Sequence, residues 1–452
     1  MPLPSVRPVL HPGAGFAQSS ARRPPPPEEQ EVESLDPGYE EVEFFVSGHA
    51  STYVGPATEP ATVATTGHAF TTRVLVRGPL DPARASGRVV IEPFNTSAGF
   101  DRDVLWRHVG GLLQEQGDSW VGVTTRAASV TGLRNFDSVR YADLDLESND
   151  FGWDVLGYVG ASVRLEGSLL PSGVKASQVY LGGYSQSAAD VATFAMAFHD
   201  SAGSSDQAPP FDGYFPAGHS GTLTLPALGD RFIPAFEASP ILQPGAPMVD
   251  VETQSDVEGF EATLRSGRTY TSTGGAHVRQ SDLDPPSGYY RLFELAGAPH
   301  AARMEGCDGG GSSFPTSAYL RCALSHLFAW AETGVAPPSA PRLELDRAGP
   351  VSVCAVDEFG NAVGGIRSPH LDVPLARYEA HSGPGALCAL VGREVTLSPE
   401  HLNRYGSFED YMDQFAAALD ETIGAGFILE RDRAELLAAH TVRAKQAFAQ
   451  SA

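Results

Sequence analysis

Apolar and polar positions follow two rhythms along this chain. "YEEVEFFVSGHASTYV" and "FTTRVLVRGP" alternate or cluster β-branched and aromatic residues and end in Gly or Pro, which predicts an opening antiparallel pair. "GRVVIEPFN" (residues 87–95) is a short apolar run between turn formers, the pattern of a buried strand. "DVLWRHVGGLLQEQG" places Val104, Leu105, Val109, Leu112 and Leu113 at helical spacing and stops at Gly117. "SWVGVTT" reads as another buried strand, "DVLGYVGASVRLEGSLL" as a helix, and "SQVYLGGYS" as a strand entering a turn. An Ala-rich helix follows in "QSAADVATFAMAFHD". "FDGYFPAG" and "APMVDVETQ" predict strands, "GYYRLFELAGAPH" a strand ending in a loop, and "SAYLRCALSHLFAWAETG" a closing helix.

Strand–helix alternation over this length predicts an α/β fold, a mostly parallel central sheet flanked by helices. The Pro-rich stretch "HSGTLTLPALGDRFIPAFEASPILQPG" interrupts it, so a lid insertion is expected around residues 203–246. "GVAPPSAPR" marks a domain edge, after which the pattern changes to short strands and then helices from about Ser407. The expected organisation is a disordered Pro-rich arm over 1–30, a core over 31–340, and a C-terminal cap or extension packed on that core over 341–452.

Composition narrows the classes. The chain has 452 residues, 42% hydrophobic and 19% charged, which suits a globular protein with a large core. With 31 Lys+Arg against 55 Asp+Glu, its net charge of −24 repels phosphate backbones and argues against a nucleic-acid partner. No apolar run approaches a membrane span, and the N-terminal stretch lacks the apolar core of a secretory signal, so a cytoplasmic location is expected. Cys307, Cys322, Cys354 and Cys388 show no metal-ligand spacing; they are expected as buried thiols, with a Cys307–Cys322 bridge as the alternative. No metal site is predicted.

The chemistry concentrates in "VYLGGYSQSAADVATFAMAF". A nucleophile elbow needs a strand, a sharp turn and a helix, so that a serine hydroxyl is lifted off the sheet edge between small flanking residues. Gly183 supplies the small residue two before Ser185, and Ser187 stands two after, where Gly is commonest. A serine in a tight packing turn would show the same letters. The helix that follows aims its N-terminal N–H groups at the turn, which favours an oxyanion there.

The partners should follow in the order acid, then His, at the ends of later strands. "APMVDVETQSDVEGF" offers Asp250, Glu252, Asp256 and Glu258; Asp250 falls inside the strand, Asp256 lies past its end, and Glu252 is the alternative acid. Each could equally be a solvated loop charge. "LFELAGAPHAARMEG" presents His300 directly after a strand, the station of a general base, with His277 in "GGAHVRQ" as the spare. The oxyanion hole is expected from the Gln186 N–H and one near Asn95 or Thr96. Tyr184, Thr96, His219 and Arg367 are the expected substrate-binding residues, Arg367 as a receptor for a substrate carboxylate. Asp154, in "SNDFGWDVLGYVG", reads as a helix-start or buried hydrogen-bonding residue.

Taken together, "VEFFVSGHASTY", "TTRVLVRGPLDPARASGRVVIEPFNTSAGFD", "GYSQSA", "ELAGAPHA", "GVAPPSAPRL" and "DEFGNAVGGIRSPHLDVPLARY" resemble the bacterial alpha/beta hydrolase domain family of the α/β-hydrolase superfamily. The matching stretches run from about Glu41 to Leu429, so the resemblance implies that the C-terminal part belongs to the same unit. It also implies the α/β-hydrolase fold, a G-x-S-Q-S elbow in which Ser187 is the ordinary residue, Ser185 as nucleophile and His300 as base. "GYSQ" is similar to the elbow of cutinases too, but the rest of the chain is not.

The expected activity is a serine hydrolase that cleaves a small-molecule carboxylic ester through an acyl-enzyme, with no cofactor. The alternatives are an acyl transferase or cyclase using the same acyl-enzyme, and a non-catalytic ligand-binding protein that keeps the fold.

Overall fold

The computed structural model describes residues 5–9, 35–165, 167, 169–200, 209–228, 236–238, 244–263, 269–272, 274–276, 278–304, 307, 311–347, 351–383 and 388–451. The chain divides into two compact units. The first comprises residues 1–249, 283–290 and 327–335, and the second residues 250–282, 291–326 and 336–452.

The first unit is built on a sheet whose strands come in the order β1 (Ser5–Pro8), β2 (Tyr39–Val54), β3 (Thr62–Pro79), β5 (Ser119–Val123), β4 (Arg88–Pro93), β6 (Gln178–Tyr184) and β7 (Gly213–Ala217). The expected opening pair is β2–β3, antiparallel over nearly the full length of both strands. From β5 onward the neighbours are parallel: β4 with β5, β4 with β6, and β6 with β7. Those strands are buried along almost every residue, which is why their sequences read as continuous apolar runs rather than as alternation. At the far edge, Tyr214 N–H donates to the Pro247 carbonyl and Met248 N–H to that of Tyr289, where two further strands begin. The segment expected to be a disordered arm contributes β1, paired on β2; residues 10–34 lie outside the described residues.

Helices α1 (Val104–Gln116), α2 (Ala127–Phe136), α3 (Gly152–Val163) and α4 (Gln186–Ala197) complete this unit. Among them α1 packs on β5 and β6, and α4 on β6 and β7. The start of α1 explains a carboxylate inside a buried strand: Glu92 of β4 accepts the Leu105 and Trp106 N–H groups and the Trp120 indole N–H. Burial pushes the Glu92 carboxyl up to about 8, with Asp103 adding to the effect. Within the expected lid, β8 (Thr222–Thr224) pairs antiparallel with β9 (Phe236–Ala238), and much of the rest lies outside the described residues. Asp154 is the hydrogen-bonding residue expected: Tyr53 O–H and Ser51 N–H both donate to its carboxylate.

In the second unit, β10 (Met248–Thr253, begun in the first) leads into the single turn α5 (Gln254–Val257) and the hairpin β11 (Phe260–Thr263) to β12 (Thr269–Ser272). β13 (Tyr290–Leu295) precedes α6 (Thr316–Thr333), whose last turns return to the first unit. The hairpins β14 (Leu345–Arg347) to β15 (Val353–Cys354) and β16 (Ala376–Glu379) to β17 (Arg393–Thr396) follow, with α7 (Pro369–Asp372) between them. The chain closes with α8 (Pro399–Leu402), α9 (Phe408–Gly424) and α10 (Arg433–Ser451). A capping box opens α9, Ser407 and Asp410 each satisfying the other's backbone N–H. Residues 341–452 share one compact unit with residues 250–282 and 291–326.

The cysteines depart from expectation. Cys307 is disulfide-bonded to Cys388, not to Cys322, while Cys322 and Cys354 are buried free thiols. The partner lies 81 residues on, a separation that local spacing cannot reveal. Among the described residues, no helix is long and apolar enough to cross a membrane.

Candidate active site

The turn between β6 and α4 forces Ser185 into an unusual backbone conformation, φ 64° and ψ −125°. A non-glycine residue held at positive φ stores strain that only a well-determined surrounding maintains. That surrounding is visible. Ser185 N–H donates to the Ala217 carbonyl at the end of β7, and Ala188 N–H donates back to Ser185 at the start of α4. A Cβ on Gly183 would lie 2.7 Å from the Ser187 carbonyl oxygen, so only glycine fits there.

Ser187 does more than stay small. Its hydroxyl accepts the Tyr184 N–H and lies 3.1 Å from the Tyr184 carbonyl, which also takes the Asn95 side-chain amide at 2.9 Å. The fifth position of the motif thus stitches the elbow through a side chain, which a glycine could not do. Tyr184 is buried with its ring 5.0 Å from that of His108 on α1, on the core side of the turn.

The expected oxyanion donors divide. Gln186 opens α4, where N–H groups have no partner within the helix. The Asn95 N–H is engaged by the Arg102 carbonyl in an isolated bridge, so Asn95 buttresses the elbow and is not an oxyanion donor. Its neighbour is better placed: Thr96 N–H and Oγ–H both point at the Gln186 side-chain oxygen, each at 3.0 Å.

The second unit holds Asp256 and His300. Thr253-Gln254-Ser255-Asp256 forms a capping box on α5, with Asp256 Oδ2 accepting the Thr253 N–H and hydroxyl at 3.2 and 2.5 Å. This fixes the carboxylate with its other oxygen, Oδ1, 2.8 Å from His300 Nδ1. Burial works to raise the Asp256 pKa, but His300 and the Thr253 hydrogen bonds outweigh it and hold the carboxyl below its usual range. An ionised carboxylate only accepts, so Nδ1 is the donor to Asp256, and in the neutral ring Nε2 is the nitrogen left to act as a base.

His300 itself is held by its backbone. Gly297, at φ 80°, turns the chain after β13 and donates its N–H to the Gln254 side chain, while His300 N–H donates to Ser255 Oγ at 3.0 Å. Of the two candidate acids, Asp256 is the one paired with His300; Glu252 is buried within β10. His277 lies outside the described residues.

Two expected substrate contacts are otherwise engaged. The Arg367 guanidinium meets Asp372 at 2.6 Å, Asp357 at 3.0 Å and the carbonyls of Leu371 and Ala362. That leaves it fastening α7 to the preceding loop rather than awaiting a substrate carboxylate. His219 is buried in the turn after β7, where Nδ1–H donates to the Thr222 carbonyl at 2.7 Å.

The sequence matches the alpha/beta hydrolase domain family over residues 11–438. The chain belongs to that family. Its sheet flanked by helices is accordingly an α/β-hydrolase fold. No curated protein matches it. Among solved structures it is similar to a candidate dienelactone hydrolase of Klebsiella pneumoniae subsp. pneumoniae, at 11% identity over 64% of this chain and 99% of that one, with a TM-score of 0.32. It is also similar to Thermogutta terrifontis esterase 2 phosphorylated by paraoxon, at 12% identity over 67% and 96% of the two chains and a TM-score of 0.33. Likeness at that level carries no argument about activity, which rests on the residues.

Proposed function

We propose that the protein is a serine hydrolase acting on a carboxylic ester of a small molecule. Ser185 is the nucleophile, His300 the base that takes its proton, and Asp256 the acid that keeps the proton on His300 Nδ1. The observation that carries this reading is the His300–Asp256 pair, its carboxylate buried and fixed by Thr253 and its ring-bearing residue held by Ser255. The strained turn at Ser185 supports it independently.

In the proposed reaction the serine oxygen attacks the ester carbonyl while its proton passes to His300 Nε2. The oxyanion is met by the Gln186 N–H and by the Thr96 N–H, once the substrate oxygen displaces the Gln186 side chain from Thr96. The alcohol leaves with the proton from His300. Water, deprotonated by the same nitrogen, then releases the acid and restores Ser185.

A fluorophosphonate probe mapped by mass spectrometry, together with a series of p-nitrophenyl esters, tests the reading. Labelling at Ser185, with label and turnover both lost in Ser185→Ala, is the expected result. Label on another residue, or undiminished turnover in that variant, would overturn it. The Cys307–Cys388 disulfide supports an oxidising compartment in place of the expected cytoplasm, since such bonds rarely persist among reduced thiols.

A further inference from the structure

Behind the Asp256–His300 pair, in the same compact unit, lies a second ionic pair that the proposed reaction does not use. Glu258 ends α5, two residues after Asp256. Its Oε1 accepts the Cys354 N–H at 2.9 Å and the Gln254 side-chain amide at 3.2 Å, and its Oε2 lies 3.4 Å from His381 Nε2. His381 follows β16, and its Nδ1–H donates to the Ala389 carbonyl. Phe260 covers the ring, with centroids 5.4 Å apart.

We infer that His381 is a positioning residue for the Asp256–His300 pair: by gripping Glu258 and the Ala389 carbonyl together, it clamps the C-terminal end of α5. The inference deepens the hydrolase reading and rests on it for its catalytic meaning. α5 is one turn long and has no internal stability of its own, so the orientation of Asp256 depends on how its two ends are held. The capping box holds the first end. Glu258 holds the second, and the Gln254 amide that touches Glu258 also accepts the Gly297 N–H on the loop that carries His300.

The C-terminal segment reaches His300 along parallel lines. Ser255 Oγ takes the His300 N–H and donates to the Ala380 carbonyl, the residue before His381. Ala301, the residue after His300, donates to Leu390 and accepts from Gly392. His381 joins these lines, because it is bound to α5 through Glu258 and to the 388–391 turn through Ala389. Burial works against a charged ring, but Glu258, the Ala389 carbonyl and Asp256 outweigh it and push the His381 pKa up. The Glu258 contact is one of charge, at 3.4 Å and without hydrogen-bond geometry at Nε2, while Nδ1–H meets the Ala389 carbonyl directly.

The test uses two variants of the full chain, His381→Asn and the nearly isosteric Glu258→Gln, and the double variant. Two readouts are followed: the low-field proton resonance of the His300 Nδ1–H···Asp256 hydrogen bond, and the rate at which a fluorophosphonate labels Ser185. Each single variant is expected to shift or abolish the resonance and to slow labelling roughly ten- to a hundredfold, with the thermal melt retained. The double variant should be no slower than the worse single, because both break one clamp. An unchanged resonance and labelling rate in either folded variant would overturn the inference. Should the wild type show the resonance but never label at Ser185, the hydrolase reading fails. The response of that resonance to His381→Asn and Glu258→Gln then still decides the clamp.

Discussion

Two buried imidazoles make the C-terminal helices sensitive to acid. His370 of α7 and His440 of α10 meet ring to ring with centroids 4.9 Å apart, and His440 lies flat on Phe415 at 3.6 Å. The Tyr411 hydroxyl donates to the Val373 carbonyl, so His440 Nε2–H donates to the Tyr411 oxygen at 2.6 Å. Nδ1 of both rings has no hydrogen-bond partner among the described residues. A proton there would sit buried, unpaired and beside the Arg443 charge. Burial first, and Arg443 second, push His370 down to about 3; burial, His370 and Arg443 push His440 down to about 2.

The sign follows directly. Unfolded, both rings titrate near ~6.5, while folded they stay neutral to far lower pH. The stability from keeping them neutral is fully present above that unfolded value and is lost as pH falls below it. Each ring contributes a slope of about 1.4 kcal/mol per pH unit, whatever its folded pKa, provided it remains neutral. Between pH 7 and pH 5 that amounts to about 2 kcal/mol per ring and about 4 kcal/mol for the pair, roughly a thousandfold in the opening equilibrium of these helices. Hydrogen exchange of the α9 and α10 amides at the two pH values, corrected for intrinsic rates, reads the change. In His440→Phe, which keeps the stack on Phe415, the pH-linked loss should fall by about half. The same loss in that variant as in the wild type would refute the account, since other groups would then be titrating.

Asp256→Asn should keep its fold but lose the preference for a proton on Nδ1, lowering kcat by about a thousandfold or more with little change in KM; steady-state kinetics on a p-nitrophenyl ester decides this. Ser187→Gly makes the elbow match the commoner motif yet removes its hydroxyl from Tyr184. Thermal denaturation should show a loss of about 1–2 kcal/mol rather than a gain. Thiol titration of the unfolded, unreduced protein should find two free cysteines, rising to four after reduction. Opening the disulfide should destabilise the second unit by about 2–4 kcal/mol, measured by denaturant midpoint.

What could be read in advance depended on how local its cause was. The buried parallel strands and their helices were legible because apolar runs and 3.6-residue spacing are set by nearest neighbours in sequence. The elbow was legible for the same reason: Gly183, Ser185 and the Ala-rich helix are contiguous. The misreadings at Asn95, Arg367 and the cysteines share another cause, since each is decided by a partner set by the fold. Nothing near Asn95 announces that Arg102 takes its N–H, or that its side chain holds Tyr184, 89 residues away. Nothing near Cys307 points to Cys388.

The pairing of Asp256 with His300 lies between these cases, and its signal was present in the letters. Asp256 and Glu252 differ by four residues in one acidic stretch, and proximity to the strand end alone does not separate them. Thr253-Gln254-Ser255-Asp256, however, has the spacing of a capping box, a hydroxyl at the N-cap and an acid three residues on. Such a box starts a helical turn at Gln254, takes one oxygen of Asp256 for the backbone and leaves the other to face a partner. Glu252 precedes the cap and stays in the strand, where its side chain follows the alternation of β10 and not the turn. The capping box thus does two jobs here, ending β10 and aiming the carboxylate. Asp256 follows from the first job as much as from the second.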